Sequence, residues 1–188
     1  MTPGWVTSDS DRRPGSRRDS AAQPRIQRPQ STARPAPYLE WRETWTLEVG
    51  FMDEDHRALA VMLNCLARDY GVDPPVLGNP MRRPDAPSLQ EALEELVGYT
   101  RAHFQREEEV MRIDGYPGLA DHKSEHDLLL AELSMLARGL RKSGRQWLDR
   151  DLLDSLKDWF LGHLLEQDRE LADFLKRPGP PGDGGPGL

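Results

Sequence analysis

Histidine and carboxylate residues recur at a spacing that suits metal binding. His103 and Glu107 are four residues apart, as are His122 and His126, and this spacing places two side chains on one face of a helix, one turn apart. Such a pair can bind a single ion. One histidine upstream and a histidine–aspartate pair downstream extend the set of candidate metal ligands, which comprises His56, His103, Glu107, His122, His126, His163 and Asp168.

A bound metal explains why so many ionisable groups lie on faces that are otherwise apolar. The five histidines of the set are all the histidines that the chain has, and each falls in the apolar stripe of a predicted helix. A buried polar group without a partner costs about 1–3 kcal/mol, so the whole set would cost on the order of ten, as much as the stability of a small domain. Without metal, the helices would have to separate and admit water.

The number and type of these donors indicate two metal ions rather than one. A single zinc ion uses about four ligands and prefers thiolates, whereas this set has seven members and no cysteine. Imidazole and carboxylate donors suit iron, manganese or cobalt, and a carboxylate that bridges two ions serves both. Iron is the metal that we expect.

Four segments must position these residues, and each has apolar residues at steps of three and four. They cover about 53–70, 88–113, 119–141 and 147–176. Ser88 and Glu91 form a capping box at the start of the second segment. Because no stretch alternates with period two and the connections are mostly short, the sequence predicts an all-α, antiparallel up-down four-helix bundle.

The predicted bundle spans residues 39–177 and is flanked by two tails. Residues 1–38 contain seven Arg and six Pro but few large apolar residues, which predicts a disordered arm. Residues 178–188 consist mainly of Pro and Gly, which predicts a second disordered tail. The Pro-rich stretch 71–88 is predicted to be a surface loop inserted between the first two helices.

Composition disfavours several classes of function. Residues 39–177 carry about ten net negative charges, which disfavours nucleic-acid binding, and no apolar run approaches the roughly 20 residues of a membrane span. Cys65 is the only cysteine, so no intrachain disulfide can form, and we interpret it as a small core residue. With no signal-like apolar stretch near the start, a reducing cytoplasmic setting is expected.

The order of these residues resembles the hemerythrin family, specifically the bacteriohemerythrins. The resemblance covers about residues 41–175 and includes three further motifs. The first motif runs from Trp45 through Val49-Gly50 to Asp53-Glu54-Asp55-His56. The second is His103-Phe104 followed by Glu107-Glu108, and the third is Gly115-Tyr116-Pro117.

The resemblance implies a non-haem, oxo- or hydroxo-bridged pair of iron ions that binds dioxygen reversibly. It assigns the filled iron to His122, His126 and His163, and the iron with an open position to His56 and His103. Glu107 and Asp168 would bridge the two ions. The predicted pocket for dioxygen is formed by Leu59, Phe104, Trp159 and Phe160, although simple core packing is an equal interpretation of the last two.

Other functions of the same irons stay open at this point. A di-iron enzyme that reduces peroxide or nitric oxide is the main alternative. A Tyr or Cys on the ligand faces would favour this enzyme, but the sequence has no additional one there. An iron-storage or iron-sensing protein is the third hypothesis. Protein partners and oligomeric state are not indicated.

Two features depart from the usual pattern of the family. Asp55 stands where relatives commonly have glutamine, and the 71–88 loop is longer than usual. His163 and Asp168 are five residues apart, which separates them by about 140° on an ideal helix. A π-bulge, or an aspartate that reaches in from the flank, is therefore predicted between them.

Overall fold

The computed structural model describes residues 36–71 and 82–177, and the part that it describes is a bundle of helices. After a short 3-10 helix at Glu43–Trp45 come α1 (Gly50–Tyr70), α2 (Leu89–Asp114), α3 (Leu119–Ser143), α4 (Arg150–Leu165) and α5 (Gln167–Leu175). Within these residues no strand forms, and the predicted all-α bundle is confirmed. The predictions for residues 1–35, 72–81 and 178–188 lie outside the described residues.

The ends of the helices follow from local sequence. The Ser88 hydroxyl accepts a hydrogen bond from the Glu91 amide while the Glu91 carboxylate accepts one from the Ser88 amide, so the predicted capping box is confirmed. α2 and α3 each end at a glycine in the left-handed conformation, Gly115 (φ +66°) and Gly144 (φ +69°). Side chains other than glycine are strained there. Asp149 caps α4 by accepting from the Leu152 amide at 2.9 Å.

The interior of the bundle consists of two apolar clusters with a polar layer between them. α2 packs against α1 and α3, and α1 packs against α4. Along α1, His56 lies between Met52, in the smaller apolar cluster, and Leu59, in the larger one. None of the helices that the structure describes combines the length and apolar character that crossing a membrane requires.

The fourth predicted helix differs from the structure, which divides it in two. α4 begins at Arg150 and stops at Leu165, and α5 begins at Gln167. The residue between them, Glu166, has φ −109° and ψ −77°, and its amide donates to the carbonyls of Gly162 and His163. The structure thus has a break in the helix where the sequence predicted either a π-bulge or an aspartate that reaches in from the flank, and Asp168 lies near the start of the helix after this break.

Candidate metal centre

All seven predicted ligands lie together in the polar layer of the bundle, and all are buried. Their donor atoms form two overlapping groups, in each of which the atoms lie within 4.8 Å of one another. The first group contains three histidines and the second two, and both groups share Glu107 and Asp168. The members are Glu107, His122, His126, His163 and Asp168 in one group, and His56, His103, Glu107 and Asp168 in the other.

Glu107 directs one carboxylate oxygen at each group. Its Oε1 lies 3.6 Å from His103 Nε2, and its Oε2 lies 3.3 Å from His126 Nε2. The side chain is completely buried. A carboxylate in this position can bridge two ions, because each of its oxygens faces a different set of imidazoles.

Asp168 also directs one oxygen at each of the two groups. Its Oδ2 lies 3.1 Å from His56 Nε2, while its Oδ1 lies 3.0 Å from His163 Nε2 and 3.3 Å from His122 Nε2. Asp168 is the second residue of α5, which begins after the break at Glu166, and this position places the carboxylate in the layer. The break therefore allows His163 and Asp168 to lie close together, although a continuous helix would separate residues five apart by about 140°.

The unpaired atoms of the layer fit a metal site. Among the described residues, both oxygens of Glu107 and of Asp168, and the Nε2 atoms of His56 and His122, are buried without a hydrogen-bond partner. Leaving such groups unsatisfied is costly, and carboxylates and imidazoles share an affinity for metal cations. The donor set therefore fits the predicted ions.

Burial also sets the protonation of the layer. Burial lowers the pKa of His126 to about 2, with His163 and His122 adding to the effect, and burial lowers the pKa of His103. These two imidazoles are therefore neutral, which is the form that binds metal. Burial and the nearby charge of Asp168 raise the pKa of Glu107.

Asp168 behaves in the opposite way to Glu107. Burial would raise its pKa, but the surrounding histidines His163, His122 and His56 hold it well below the ordinary value. The two buried carboxylates thus differ in how readily they ionise.

Two of the histidines have carboxylate partners behind them that sequence reasoning missed. His103 Nδ1 lies 3.3 Å from Asp55 Oδ2, and His126 Nδ1 lies 3.3 Å from Glu108 Oε1. Lys123 in turn donates to Glu108 at 2.9 Å. The only signal in the sequence is that each acid adjoins a predicted ligand. Such outer partners orient a histidine and increase its basicity as a ligand.

The four residues predicted to form the pocket surround one small cavity. Its volume is about 10 Å³, and His56, His103, His163 and Asp168 also line it. Leu164, which was not predicted, also lines it. The predicted apolar residues around it are Leu59, Phe104, Trp159 and Phe160.

Two aromatic residues that line this cavity pack against imidazoles of the site. Phe104 stacks on His126 with ring centroids 3.8 Å apart and planes 6° from parallel. Phe160 contacts the ring of His56 edge-on at 6.2 Å. Both phenylalanines are buried, so they restrict the ring orientations as well as fill space.

Known proteins share this fold and much of the sequence. The model of the Hemerythrin HHE cation binding domain matches residues 48–175. A bacteriohemerythrin from Stenotrophomonas maltophilia is 29% identical over 138 residues, which are 73% of this chain and 82% of that protein. A myohemerythrin from Sipunculus nudus is 29% identical over 130 residues, 69% of this chain and 87% of that protein. The crystal structure of wild-type hemerythrin matches with a TM-score of 0.60 at 26% identity, over 74% of this chain and 99% of that one.

The fold and the site together define the class of this protein. It is a helical bundle whose buried layer offers two adjoining sets of histidine and carboxylate donors for metal. With the family model matching most of its length, this chain belongs to the hemerythrin family. The family binds a non-haem di-iron centre and dioxygen, and the chain has a cluster able to hold the metal.

Proposed function

We propose that this protein binds dioxygen reversibly at a di-iron centre in the polar layer. His122, His126 and His163 would hold one iron, and His56 and His103 would hold the other. Glu107 and Asp168 would bridge them, since each directs one oxygen at either group. We also infer a cytoplasmic setting, because a reducing compartment suits a chain with the single free cysteine Cys65.

The position of the cavity is the observation that carries this proposal. One group of donors has three histidines and the other only two, so the second iron would have fewer protein ligands. The cavity is lined by both histidines of that second group, His56 and His103. At about 10 Å³, it admits only a very small molecule.

The lining of the cavity favours reversible binding over reduction. An iron pair held by the proposed ligands, among them His56 and His103, would supply the electrons that dioxygen binding requires and would recover them on release. Apart from the proposed ligands, every described residue that lines the cavity is aliphatic or aromatic, and none of these described residues is a carboxylic acid or a thiol. These side chains exclude water and deliver no proton, so they oppose irreversible reduction of the ligand.

A spectroscopic comparison tests the proposal. The purified protein is analysed for iron, and its visible absorption is recorded under air, after deoxygenation and after readmission of air. We expect two irons per chain and charge-transfer bands that disappear and return over repeated cycles. One zinc per chain would contradict the metal assignment. Catalytic consumption of peroxide or nitric oxide, without reversible bands, would favour an enzyme instead.

A further inference from the structure

Asp55 contacts one proposed iron ligand and is held in place by two other side chains. Its Oδ2 lies 3.3 Å from His103 Nδ1 and accepts from Arg106 Nε at 2.9 Å and Nη2 at 2.6 Å. Its Oδ1 accepts from the Tyr99 hydroxyl at 2.9 Å. Tyr99, His103 and Arg106 lie on one face of α2, whereas Asp55 belongs to α1. The carboxylate is therefore fixed between two helices.

This contact determines which nitrogen of His103 faces the proposed iron. A neutral imidazole carries one N–H and one lone pair. With Asp55 accepting at Nδ1, the proton stays on Nδ1 and the lone pair on Nε2, the atom that faces Glu107. The negative carboxylate also draws the Nδ1 proton, which makes Nε2 the stronger donor to a cation.

Most of the other proposed ligands lack such a partner. The Nδ1 atoms of His56, His122 and His163 are buried with no hydrogen-bond partner among the described residues. His126 has Glu108, but Glu108 is paired with exposed Lys123 and is itself more exposed than Asp55. The less exposed of the two outer carboxylates therefore serves the group of two histidines, beside the cavity.

We propose that Asp55 is a positioning residue that fixes His103 for iron binding and, through its charge, stabilises the ferric form of the two-histidine iron. This inference rests on the proposed di-iron function. An amide side chain at this position would offer an acceptor oxygen without the negative charge.

Arg106 moderates the same contact. It donates two hydrogen bonds to Oδ2, the oxygen that also faces His103, so it withdraws electron density from that oxygen. Removing the Arg106 side chain should leave the carboxylate freer to draw the Nδ1 proton. Loss of Asp55 and loss of Arg106 should therefore shift the iron reduction potential in opposite directions.

The test compares Asp55→Asn, Asp55→Glu and Arg106→Met with the wild type, all as full chains loaded with iron. Anaerobic competition with a chelator measures iron(II) affinity, and a redox titration measures the midpoint potential. Glu54→Gln is the matched control, because it removes an exposed carboxylate next to Asp55 in the same helix. We expect Asp55→Asn to bind iron about 10–100-fold more weakly and to have a higher potential. Asp55→Glu should recover part of both, and the control should match the wild type.

The outcomes separate this inference from the function on which it rests. A lower potential in Arg106→Met together with a higher one in Asp55→Asn supports the charge role, because a merely structural defect has no reason to change sign. Shifts of the same sign, or an Asp55→Asn variant within twofold of wild-type affinity at unchanged potential, would overturn the inference alone. A wild type that binds no iron pair would overturn the proposed function and this inference with it.

Discussion

Replacing Glu107 with glutamine separates the stability that metal provides from the stability of helix packing. Glu107 is completely buried, and burial together with the charge of Asp168 raises its pKa. Its carboxylate therefore opposes folding when no metal is present. Glutamine has nearly the same volume and cannot ionise, so at a pH where the Glu107 carboxyl is ionised, Glu107→Gln removes a buried charge and should stabilise the iron-free protein by about 1–3 kcal/mol.

The same substitution should destabilise the iron-loaded protein. Glu107 offers one oxygen to each group of histidines, and glutamine is a much weaker ligand for a hard cation. Iron stabilises the fold by RT ln(1 + [L]/Kd), so a hundredfold loss of affinity under near-saturating conditions removes about 2.7 kcal/mol. The sign of the mutational effect should therefore reverse between the two states.

Urea unfolding with iron and with excess chelator measures both effects. The control is Glu109→Gln, an exposed carboxylate on the same helix that pairs with Arg112. Such surface pairs contribute about 0–1 kcal/mol, so the control should change stability equally in the two states. If Glu107→Gln instead lowers the free energy of unfolding by the same amount with and without iron, then Glu107 is not a ligand.

Three further perturbations address the cavity, a helix end and a partly buried ion pair. Phe160→Leu should cost about 1–2 kcal/mol and speed the binding of azide to the iron-loaded protein, followed by absorbance; an unchanged rate would show that Phe160, although it lines the cavity, does not limit access. In urea unfolding, Gly115→Ala should lower the free energy of unfolding by about 1–2 kcal/mol, because φ at this residue is +66°. Gly98→Ala lies in open space inside α2 and should raise the free energy of unfolding by up to about 1 kcal/mol, so equal effects of the two variants would contradict this account. Hydrogen bonds from Arg68 lower the pKa of Asp69 to about 2. The ionised Asp69 therefore stabilises the fold fully above its unfolded pKa near 4, and this stabilisation is lost as the pH falls toward 2. In acid titrations Asp69→Asn should lose less stability than the wild type over that range, and parallel curves would argue against the ion pair.

Much of the fold could be predicted because its information is local. The helices follow a 3.6-residue apolar period, and Ser88 with Glu91 announces the start of α2 within four residues. Gly115 likewise marks where that helix ends. Such signals depend on neighbours in sequence and require no knowledge of how the helices pack.

The seven candidate ligands could be identified for a related reason, but their surroundings could not. One-turn spacing relates His103 to Glu107 within a single helix. The contact of Asp55 with Tyr99 and Arg106 depends instead on the register between α1 and α2, which no residue spacing encodes. The cavity-lining Leu164 was missed for the same reason, since helical spacing alone does not show which α4 side chains reach the two-histidine group.

The break at Glu166 shows tertiary structure overriding local preference. Leu165, Glu166 and Gln167 all favour helix, so local sequence predicts that α4 continues. A continuous helix would turn Asp168 about 140° away from His163. The break instead places the Asp168 carboxylate 3.0 Å from His163 and 3.1 Å from His56. Interrupting the helix sacrifices backbone hydrogen bonds of about 1 kcal/mol each, and the contacts of a buried carboxylate with several imidazoles, or with the metal that they hold, can exceed this cost. The irregularity in the fourth helix is therefore best explained by the chemistry of the site that it completes.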